Sequence, residues 1–360
     1  MTYILGIESS CDETAAAIVK DGSIVISNKI ATQIAQHAEF GGVVPELAAR
    51  EHLKNIDIVV NSALKEANLS LTEISAISVT NGPGLMPALL VGINYAKGLA
   101  IAKNLPLIGV NHFFGHIYSA FLDNELHILQ DAENFPMLAL VVSGGHSSLL
   151  LIEKDGTAKV IGATIDDAAG EALDKAAKLL DLGYPGGPII ERLSAQGDKK
   201  KYQFPRPLTG AGGKAVSKEN RYNFSFSGIK TALLYHAKDL KLANDGENLS
   251  ETEKLDTVAS YQEAVIDVLD KKLFLAVKDF KAKSVVLCGG VACNNILRQR
   301  ISKSAIKHKV RAYLAEKKYC TDNAAMIAGL GFHYLHKKEL SDWQLDAYSR
   351  LPQISKVPFI

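Results

Sequence analysis

The chain carries one strand pattern twice, and this repeat restricts its fold more than any other feature. In the first copy three apolar runs are typical of strands, at residues 3–9, 14–20 and 23–30. A shift of 134 residues gives three matching runs, at residues 138–143, 148–154 and 157–165. An Asp-Gly pair, which favours a hairpin turn, follows the second run of each copy. Ungapped agreement of strands, polar loop and turn is not expected by chance, so the sequence predicts an internal duplication.

Helices alternate with further strands along the chain, which indicates an α/β fold. The predicted helices cover residues 46–68, 85–103, 167–182, 252–280 and 324–336. Other apolar runs predict strands at residues 74–79, 107–110 and 284–288. Residues 198–228 lack a clear periodicity, and we expect a loop-rich insertion there. A length of 360 residues is typical of two domains, at about 150 residues each.

Composition and charge exclude several classes of protein. Hydrophobic residues make up 47% of the chain and charged residues 22%, which excludes a disordered or fibrous protein. Forty Lys and Arg residues nearly balance 39 Asp and Glu residues, so any polyanion must bind to a local patch. Four cysteines without a Cys-x-x-Cys pair exclude a disulfide scaffold and a thiolate zinc site. No apolar run reaches the roughly 18 residues of a membrane span and no signal peptide is visible, so we expect a cytoplasmic protein that binds no membrane.

Two histidines in Asn111-His-Phe-Phe-Gly-His116 form a candidate metal site. Residues four apart lie on one face of a helix, so both imidazoles can bind the same ion. Asp322, in a Thr-Asp-Asn run before the last predicted helix, is a candidate oxygen ligand. The alternative is a pair of packed histidines, with Asp322 only capping the helix. A metallopeptidase would need the glutamate of His-Glu-x-x-His, and Phe113 stands at that position.

Three small polar loops follow predicted strands and are candidates for binding a ligand. Ser9–Glu13 and Ser143–Ser147 occupy equivalent places in the two copies, where exposed backbone amides can bind an anion. In the third loop, Gly289-Gly290 would let a planar or anionic ligand approach the backbone, and Asn294 could bond a base or ribose edge. Ordinary hairpin loops and a tight packing turn are the alternatives.

Basic residues concentrate in two segments. Residues 199–221 carry seven Lys and Arg residues against one acid, Glu219, with aromatic residues in or beside the segment. Residues 298–311 carry six Lys and Arg residues and no acid. Such clusters suit a phosphate backbone with exposed bases, and a solvated basic face is the alternative. We expect RNA or a partner to dock at the insertion, around residues 198–222.

Five motifs occur in an order that resembles one enzyme family. They are Gly6-Ile-Glu-Ser-Ser-Cys-Asp-Glu-Thr14, Phe40-Gly-Gly-Val-Val-Pro-Glu46, Asn111-His-Phe-Phe-Gly-His116, Val142-Ser-Gly-Gly-His146 and Cys288-Gly-Gly-Val-Ala-Cys-Asn294. Together they are similar to the tRNA N6-adenosine threonylcarbamoyltransferases, the bacterial TsaD proteins and their archaeal and eukaryotic counterparts. The resemblance implies two duplicated ribonuclease-H-like domains of the actin, sugar kinase and Hsp70 (ASKHA) superfamily around a central cleft. The expected domains are residues 1–124 plus 325–360 and residues 125–324.

The resemblance also implies a reaction and the residues that serve it. The expected reaction is transfer of the threonylcarbamoyl group of threonylcarbamoyl-AMP to N6 of adenosine 37, in tRNAs that read codons starting with adenine. One divalent metal ion, Fe²⁺ or alternatively Zn²⁺, is expected at His112, His116 and Asp322. The adenylate is expected to contact Val141, Val142, Ser143, Gly144, Gly145, Asp174, Gly187 and Asn294. Ser10, Asp12 and Glu13 should line the same cleft, and Asp12 and Glu13 are candidates for a catalytic role.

The partners implied by the resemblance are tRNA, a small paralogous TsaB-like protein and a TsaE-like ATPase. Two other classes of function stay open from the sequence. An actin-like ATPase or sugar kinase would share the fold but would turn over ATP without tRNA. A metallopeptidase would need a catalytic base beside the histidines.

Overall fold

A computed structural model describes residues 1–40, 42–124, 127–213, 215–243, 249–350 and 352–360. Gly41 of the second motif and Lys214 of the insertion lie outside these described residues. The chain groups into two compact units. The first unit comprises Met1–Asn134, Glu153–Ala158 and Ala315–Ile360, and the second comprises Phe135–Ile152 and Lys159–Leu314.

The strands and helices alternate as the sequence predicts. The strands are β1 (Tyr3–Glu8), β2 (Glu13–Lys20), β3 (Ile24–Thr32), β4 (Ala76–Gly82), β5 (Leu107–Asn111), β6 (Met137–Val142), β7 (Ser147–Ile152), β8 (Thr157–Ala163), β9 (Ser284–Cys288), β10 (Arg311–Leu314) and β11 (Ile354–Lys356). The helices are α1 (Ile34–Ala38), α2 (Pro45–Ala67), α3 (Met86–Lys103), α4 (His112–Tyr118), α5 (His127–Gln130), α6 (Ala169–Leu179), α7 (Gly186–Ser194), α8 (Ser227–Ala243), α9 (Glu251–Phe280), α10 (Asn295–His308) and α11 (Ala325–Lys337). Within the described residues, no helix is both long enough and apolar enough to cross a membrane.

The two sheets share one strand order, which confirms the duplication. The first sheet runs β3-β2-β1-β4-β5. Read in the matching direction, the second sheet runs β8-β7-β6-β9-β10, with β11 added at its edge beside β8. In each sheet the first strand of the copy pairs antiparallel with the second strand and parallel with the fourth. The same local pattern has therefore folded into the same sheet twice.

The offset between the copies is one residue shorter than the sequence predicts. Ile4 pairs with Val19 in the first sheet, and the equivalent pair in the second sheet is Met137 with Ile152, each residue 133 positions further on. The predicted offset of 134 was wrong because it aligned the letters of the two turns. Those turns differ in backbone conformation, since both Asp21 and Gly22 have positive φ whereas Asp155 does not.

Two glycines let helix α11 approach its neighbours in the first unit. A Cβ atom on Gly6 of β1 would lie 2.4 Å from the Ala324 carbonyl oxygen. A Cβ atom on Gly115 of α4 would lie 2.9 Å from Ile327 Cδ1. At Gly6 the neighbour is backbone, so only a residue without a side chain permits the contact, whereas at Gly115 the neighbour is the end of a flexible side chain that a methyl group would displace.

Candidate metal centre and substrate loops

Helix α4 presents the two histidines on one face. It begins directly after β5, where the Asn111 side chain accepts a hydrogen bond from the Phe114 amide at 3.1 Å and caps the helix. The rings of His112 and His116 have centroids 4.6 Å apart and planes at 81°. Both residues are buried, with 7% and 1% of their surface exposed. An ion bound to them would be largely shielded from bulk water.

Asp322 completes a group of three possible metal ligands. Its Oδ1 atom lies 3.0 Å from His116 Nε2 and 3.5 Å from His112 Nε2. One ligand atom from each residue lies within 4.8 Å of the other two, so the three side chains could hold a metal ion. At the start of α11 it is Asn323 that accepts the Met326 amide, at 3.1 Å. The capping contact considered as the alternative role of Asp322 is therefore made by its neighbour.

Glu8, at the end of β1, contacts His112 through the ring nitrogen that does not face Asp322. One carboxylate oxygen, Oε2, lies 3.0 Å from His112 Nδ1 and accepts a hydrogen bond from Thr80 Oγ1 at 2.6 Å. The other oxygen accepts the Ser10 amide at 2.6 Å. A histidine that donates its Nδ1 proton to a carboxylate keeps Nε2 available for a metal ion. Glu8 therefore orients His112 with Nε2 towards Asp322.

Charge coupling within this group changes its pKa values. Burial raises the pKa of Glu8, but the charge of His112 and its hydrogen bond outweigh that effect and hold the Glu8 pKa below its usual value. Burial opposes a charged His112, yet the nearby carboxylates of Asp322 and Glu8 raise its pKa to about 9. Positive charge is therefore favoured at this position, as expected where carboxylates converge in a buried space.

The donor set of the group suits a divalent cation. Two imidazole nitrogens and one carboxylate oxygen are ligands that both iron(II) and zinc accept. His116 Nδ1 is buried and has no hydrogen-bond partner among the described residues, so this ring is held in place through Nε2, which faces Asp322. The carboxylates of Glu8 and Asp322 also repel each other here, and a bound cation would relieve that repulsion.

The first polar loop lies beside the histidines. Ser10 Oγ is 3.2 Å from His112 Nδ1. Glu13 is hydrogen-bonded to Asp12, and burial, followed by the charges of Asp322 and Asp12, raises the pKa of Glu13 to about 10. Glu13 therefore keeps its proton at neutral pH. The structure thus brings Ser10, Asp12 and Glu13 close to the metal-ligand candidates.

A buried hydrogen-bond network supports the same loop. His52 of α2 is fully buried, with Nε2 2.9 Å from the Cys11 carbonyl oxygen and Nδ1 2.7 Å from Thr14 Oγ1. Burial lowers the pKa of His52, so the neutral ring donates to Cys11 and accepts from Thr14. The sequence interpretation missed both Glu8 and His52. A carboxylate inside an apolar strand was a usable signal for Glu8, whereas His52 lies on an ordinary amphipathic helix.

In the second unit, the predicted adenylate residues begin at the end of β6. Val141 and Val142 close that strand, and the loop after it, Ser143–His146, is held by α6. The Gly170 amide donates to the Ser143 carbonyl oxygen at 3.3 Å, and the Glu171 amide donates to that of Gly144 at 3.2 Å. A Cβ atom on Gly144 or Gly145 would meet no atom within 4 Å. Open space above these two glycines leaves room for a ligand against the backbone.

The remaining predicted residues lie around α7 and the start of α10. Asp174 accepts the Gly186 amide at 2.7 Å, and burial raises the pKa of Asp174. A Cβ atom on Gly187 would also meet open space. Asn294 caps α10 by accepting two backbone amides at 3.0 Å, and its amide donates to Gln262 at 2.9 Å. These contacts use much of the hydrogen-bonding capacity of Asn294.

Comparison with known proteins places the chain in a family. Residues 24–329 match the profile of TsaD, tRNA N6-adenosine threonylcarbamoyltransferase. The chain belongs to the tRNA N6-adenosine threonylcarbamoyltransferase family. A member from Thermosipho africanus is 47% identical over 97% of this chain and 99% of its own length, and one from Geotalea uraniireducens is 48% identical over 96% and 94%. The family match disfavours the ATPase, sugar kinase and metallopeptidase alternatives.

Solved structures with low sequence identity share the fold. HypF from T. kodakarensis aligns with a TM-score of 0.59 and 14% identity, over 93% of this chain and 48% of that one. Component A of (R)-2-hydroxyglutaryl-CoA dehydratase from Acidaminococcus fermentans aligns with a TM-score of 0.53 and 15% identity, over 91% and 97%. With the duplicated sheets, these alignments confirm the predicted α/β fold of two duplicated, ribonuclease-H-like units.

Proposed function

We propose that this transferase forms N6-threonylcarbamoyladenosine at position 37 of tRNAs that read codons starting with adenine, and that threonylcarbamoyl-AMP is the donor. The class of reaction is inferred from the family assignment. The observation that ties it to this chain is the His112, His116 and Asp322 group, supported by Glu8 and lying beside the loop of Asp12 and Glu13.

His112, His116 and Asp322 would hold one divalent metal ion, with Fe²⁺ favoured and Zn²⁺ the alternative. A metal ion bound there would supply Lewis-acid chemistry, polarising a carbonyl or binding the threonyl carboxylate. The mixed set of two imidazoles and one carboxylate supports this choice, because it occurs in non-haem iron(II) sites as well as in zinc sites. Glu8 would keep His112 in the tautomer that binds through Nε2.

Asp12 and Glu13 are the proposed carboxyl groups at the reacting atoms. Because Glu13 keeps its proton at neutral pH, it can donate a hydrogen bond, and the hydrogen-bonded Asp12 can accept one. Such a pair could orient the attacking N6 amine and take up the proton that the amine loses. AMP is a good leaving group, so positioning and charge stabilisation would account for much of the rate.

The proposed adenylate site uses backbone more than side chains. The residues assigned to it are Val141, Val142, Ser143, Gly144, Gly145, Asp174, Gly187 and Asn294. Support comes from the open space over Gly144, Gly145 and Gly187, where a ligand could lie against the main chain. Asp174 accepts backbone amides of Gly186 and Gly187 at the start of α7 and would accept a further hydrogen bond from a ribose hydroxyl or an amine of the donor.

The proposed partners beyond tRNA are the TsaB-like paralogue and the TsaE-like ATPase, and a cytoplasmic location follows from the tRNA substrate. The division into residues 1–124 plus 325–360 and residues 125–324 also stays a prediction. Limited proteolysis followed by mass spectrometry of the fragments would test that division.

The deciding experiment is nucleoside mass spectrometry of tRNA incubated with the protein, threonylcarbamoyl-AMP and the two partner proteins. Wild type should form threonylcarbamoyladenosine, and a variant carrying His112→Ala and His116→Ala should not. Absence of product from the wild type, with partners proven on another family member, would overturn the proposal. Metal content of both proteins, measured by mass spectrometry, separates loss of the ion from loss of the fold.

A further inference from the structure

The two basic segments of the chain, residues 199–221 and 298–311, differ in how their cations pair with carboxylates. In the insertion, Lys199, Arg206 and Arg221 each pair with a carboxylate of helix α9. The paired carboxylates are those of Glu263, Asp267 and Asp279, at 3.6, 3.2 and 2.7 Å. Three of the six described cations of the insertion are therefore neutralised within the second unit.

Helix α10 keeps most of its charge on the surface. The helix contains no acidic residue, and its inward-facing cation, Arg300, pairs with Glu263 and Asp267 of α9. Lys303 and Lys307 are exposed and make no ion pair among the described residues. They are one turn apart on the same side of the helix, about 6 Å along its axis. Arg298 lies close to the start of the helix, on a different side from Lys307.

An open groove of about 480 Å³ lies against the first half of α10. Its lining is Asn295, Arg298, Gln299, Ser302, Lys303 and Leu314. Two cations and three neutral polar side chains offer donors along its length. One carboxylate reaches the groove, since Glu191 accepts hydrogen bonds from the backbone and side-chain amides of Asn295 at 2.8 and 2.7 Å. Those bonds hold the carboxylate against the start of the helix.

The groove opens at the sheet edge that carries the proposed adenylate residues. Strands β6, β9 and β10 are parallel, so their carboxyl ends meet at one edge. The loop at 143–146 follows β6, Asn294 follows β9, and Leu314 ends β10. Asn295, the first groove residue, directly follows Asn294. A polyanion lying in the groove would therefore reach the edge where the adenylate is proposed to bind.

We propose that the α10 groove binds the phosphate backbone of the tRNA substrate, a role that rests on the proposed function. An open groove with cations and hydroxyl or amide donors suits a phosphate chain that passes along the surface. The near-neutral net charge of the chain makes such a local patch necessary, since no overall field attracts RNA.

The test compares two charge reversals of equal size in the metal-loaded protein. One variant carries Arg298→Glu and Lys303→Glu, the two cations of the groove, and the control carries Lys200→Glu and Lys201→Glu in the insertion. The affinity for tRNA is measured by fluorescence anisotropy over a series of salt concentrations. The slope of log affinity against log salt is negative, and each lost phosphate contact should reduce its magnitude by about 0.7–0.9. We expect the α10 variant to bind at least tenfold more weakly with a shallower slope, and the control to change less than about threefold.

Equal losses in both variants, or loss in the control alone, would overturn the assignment to α10. An unchanged α10 variant would do the same. Product formation by the wild type is followed in parallel with the same tRNA. If the wild type binds tRNA but forms no threonylcarbamoyladenosine, the proposed function fails while the binding data still decide the role of the groove.

Discussion

The side-chain amide of Asn111 donates a hydrogen bond of 2.8 Å to the hydroxyl of Tyr348, 237 residues further along the chain. Asn111 is the cap of the helix that carries both histidines. Tyr348 belongs to a C-terminal segment, residues 341–348, that lies along the edge strand β5 and that we call the strap. At the other end of the strap, the Ser341 amide donates a hydrogen bond to the Leu107 carbonyl oxygen, and the Ser341 hydroxyl accepts one from the Gly109 amide. The strap therefore braces the start of the candidate metal helix.

Replacing Tyr348 with Phe should weaken metal binding without unfolding the protein. The substitution removes the hydroxyl that holds Asn111, and one hydrogen bond of this kind contributes about 1 kcal/mol. We expect the metal dissociation constant to rise about fivefold, as measured by calorimetric titration. Tyr235→Phe, at an exposed tyrosine of α8, is the matched control and should leave the constant unchanged. Equal affinities for wild type and Tyr348→Phe would show that the strap does not position the helix.

Glu8→Gln should lower metal affinity more strongly. The amide keeps the shape of the carboxylate but loses the charge that favours the Nδ1 proton of His112. Loss of such a supporting carboxylate typically reduces metal affinity by about 10–100-fold. The measurement is competition with a chelating dye, with Glu339→Gln at an exposed site as control. An affinity within twofold of wild type would refute a supporting role for Glu8.

Gly6→Ala should disturb both stability and the metal centre. The new methyl group would lie 2.4 Å from the Ala324 carbonyl oxygen, so α11 must move away from β1. Overpacking of this kind costs about 1–3 kcal/mol, and the movement also displaces Asp322. Gly98→Ala, in the interior of α3 where no atom lies within 4 Å, is the control and should stabilise the protein by about 0.5–1 kcal/mol. Urea unfolding and metal titration of both variants give the comparison, and a neutral Gly6→Ala would contradict the packing argument.

His333 should make the fold sensitive to mild acid. Its Nε2 atom lies 2.8 Å from the Tyr118 hydroxyl, which itself donates to the Gly22 carbonyl oxygen at 2.9 Å. Burial, and then the charges of His336 and Lys337, lower the pKa of His333 to about 4. The unfolded chain takes up a proton near pH 6.5 and the folded protein does so only near pH 4, so stability falls as the pH drops through this window.

The expected loss from His333 is about 2–3 kcal/mol across that window, at 1.4 kcal/mol per pH unit. The measurement is the free energy of unfolding of wild type and His333→Gln at several values between pH 7 and pH 4. Wild type should lose stability relative to the variant as the pH falls. A constant difference between the two proteins would contradict the assignment of a neutral, partly buried ring.

The sequence interpretation succeeded for features that depend on nearby residues. The apolar runs predicted most strands of the duplicated sheet, and the spacing of His112 and His116 predicted that they share a helix face. Errors arose where pairing decided the outcome. The offset between the copies was one residue too long because backbone hydrogen bonds, and not the Asp-Gly letters, set the register. Helix α8 and the short strand β10 gave no periodic signal strong enough to predict.

By itself the sequence determined the α/β class, the duplication, the family and the histidine pair, because hydrophobic period, turn residues and ordered motifs are properties of short segments. Tertiary structure alone decided which distant groups meet. Asp322 reaches His116 across 206 residues, and Glu8 reaches His112 across 104. Those contacts depend on the close packing of α11 against Gly6 and Gly115, and on the pairing of β1 with β4. Tertiary structure also decides which cations of the insertion are neutralised by α9 and which cations of α10 remain exposed, because packing determines which charges lie at the surface.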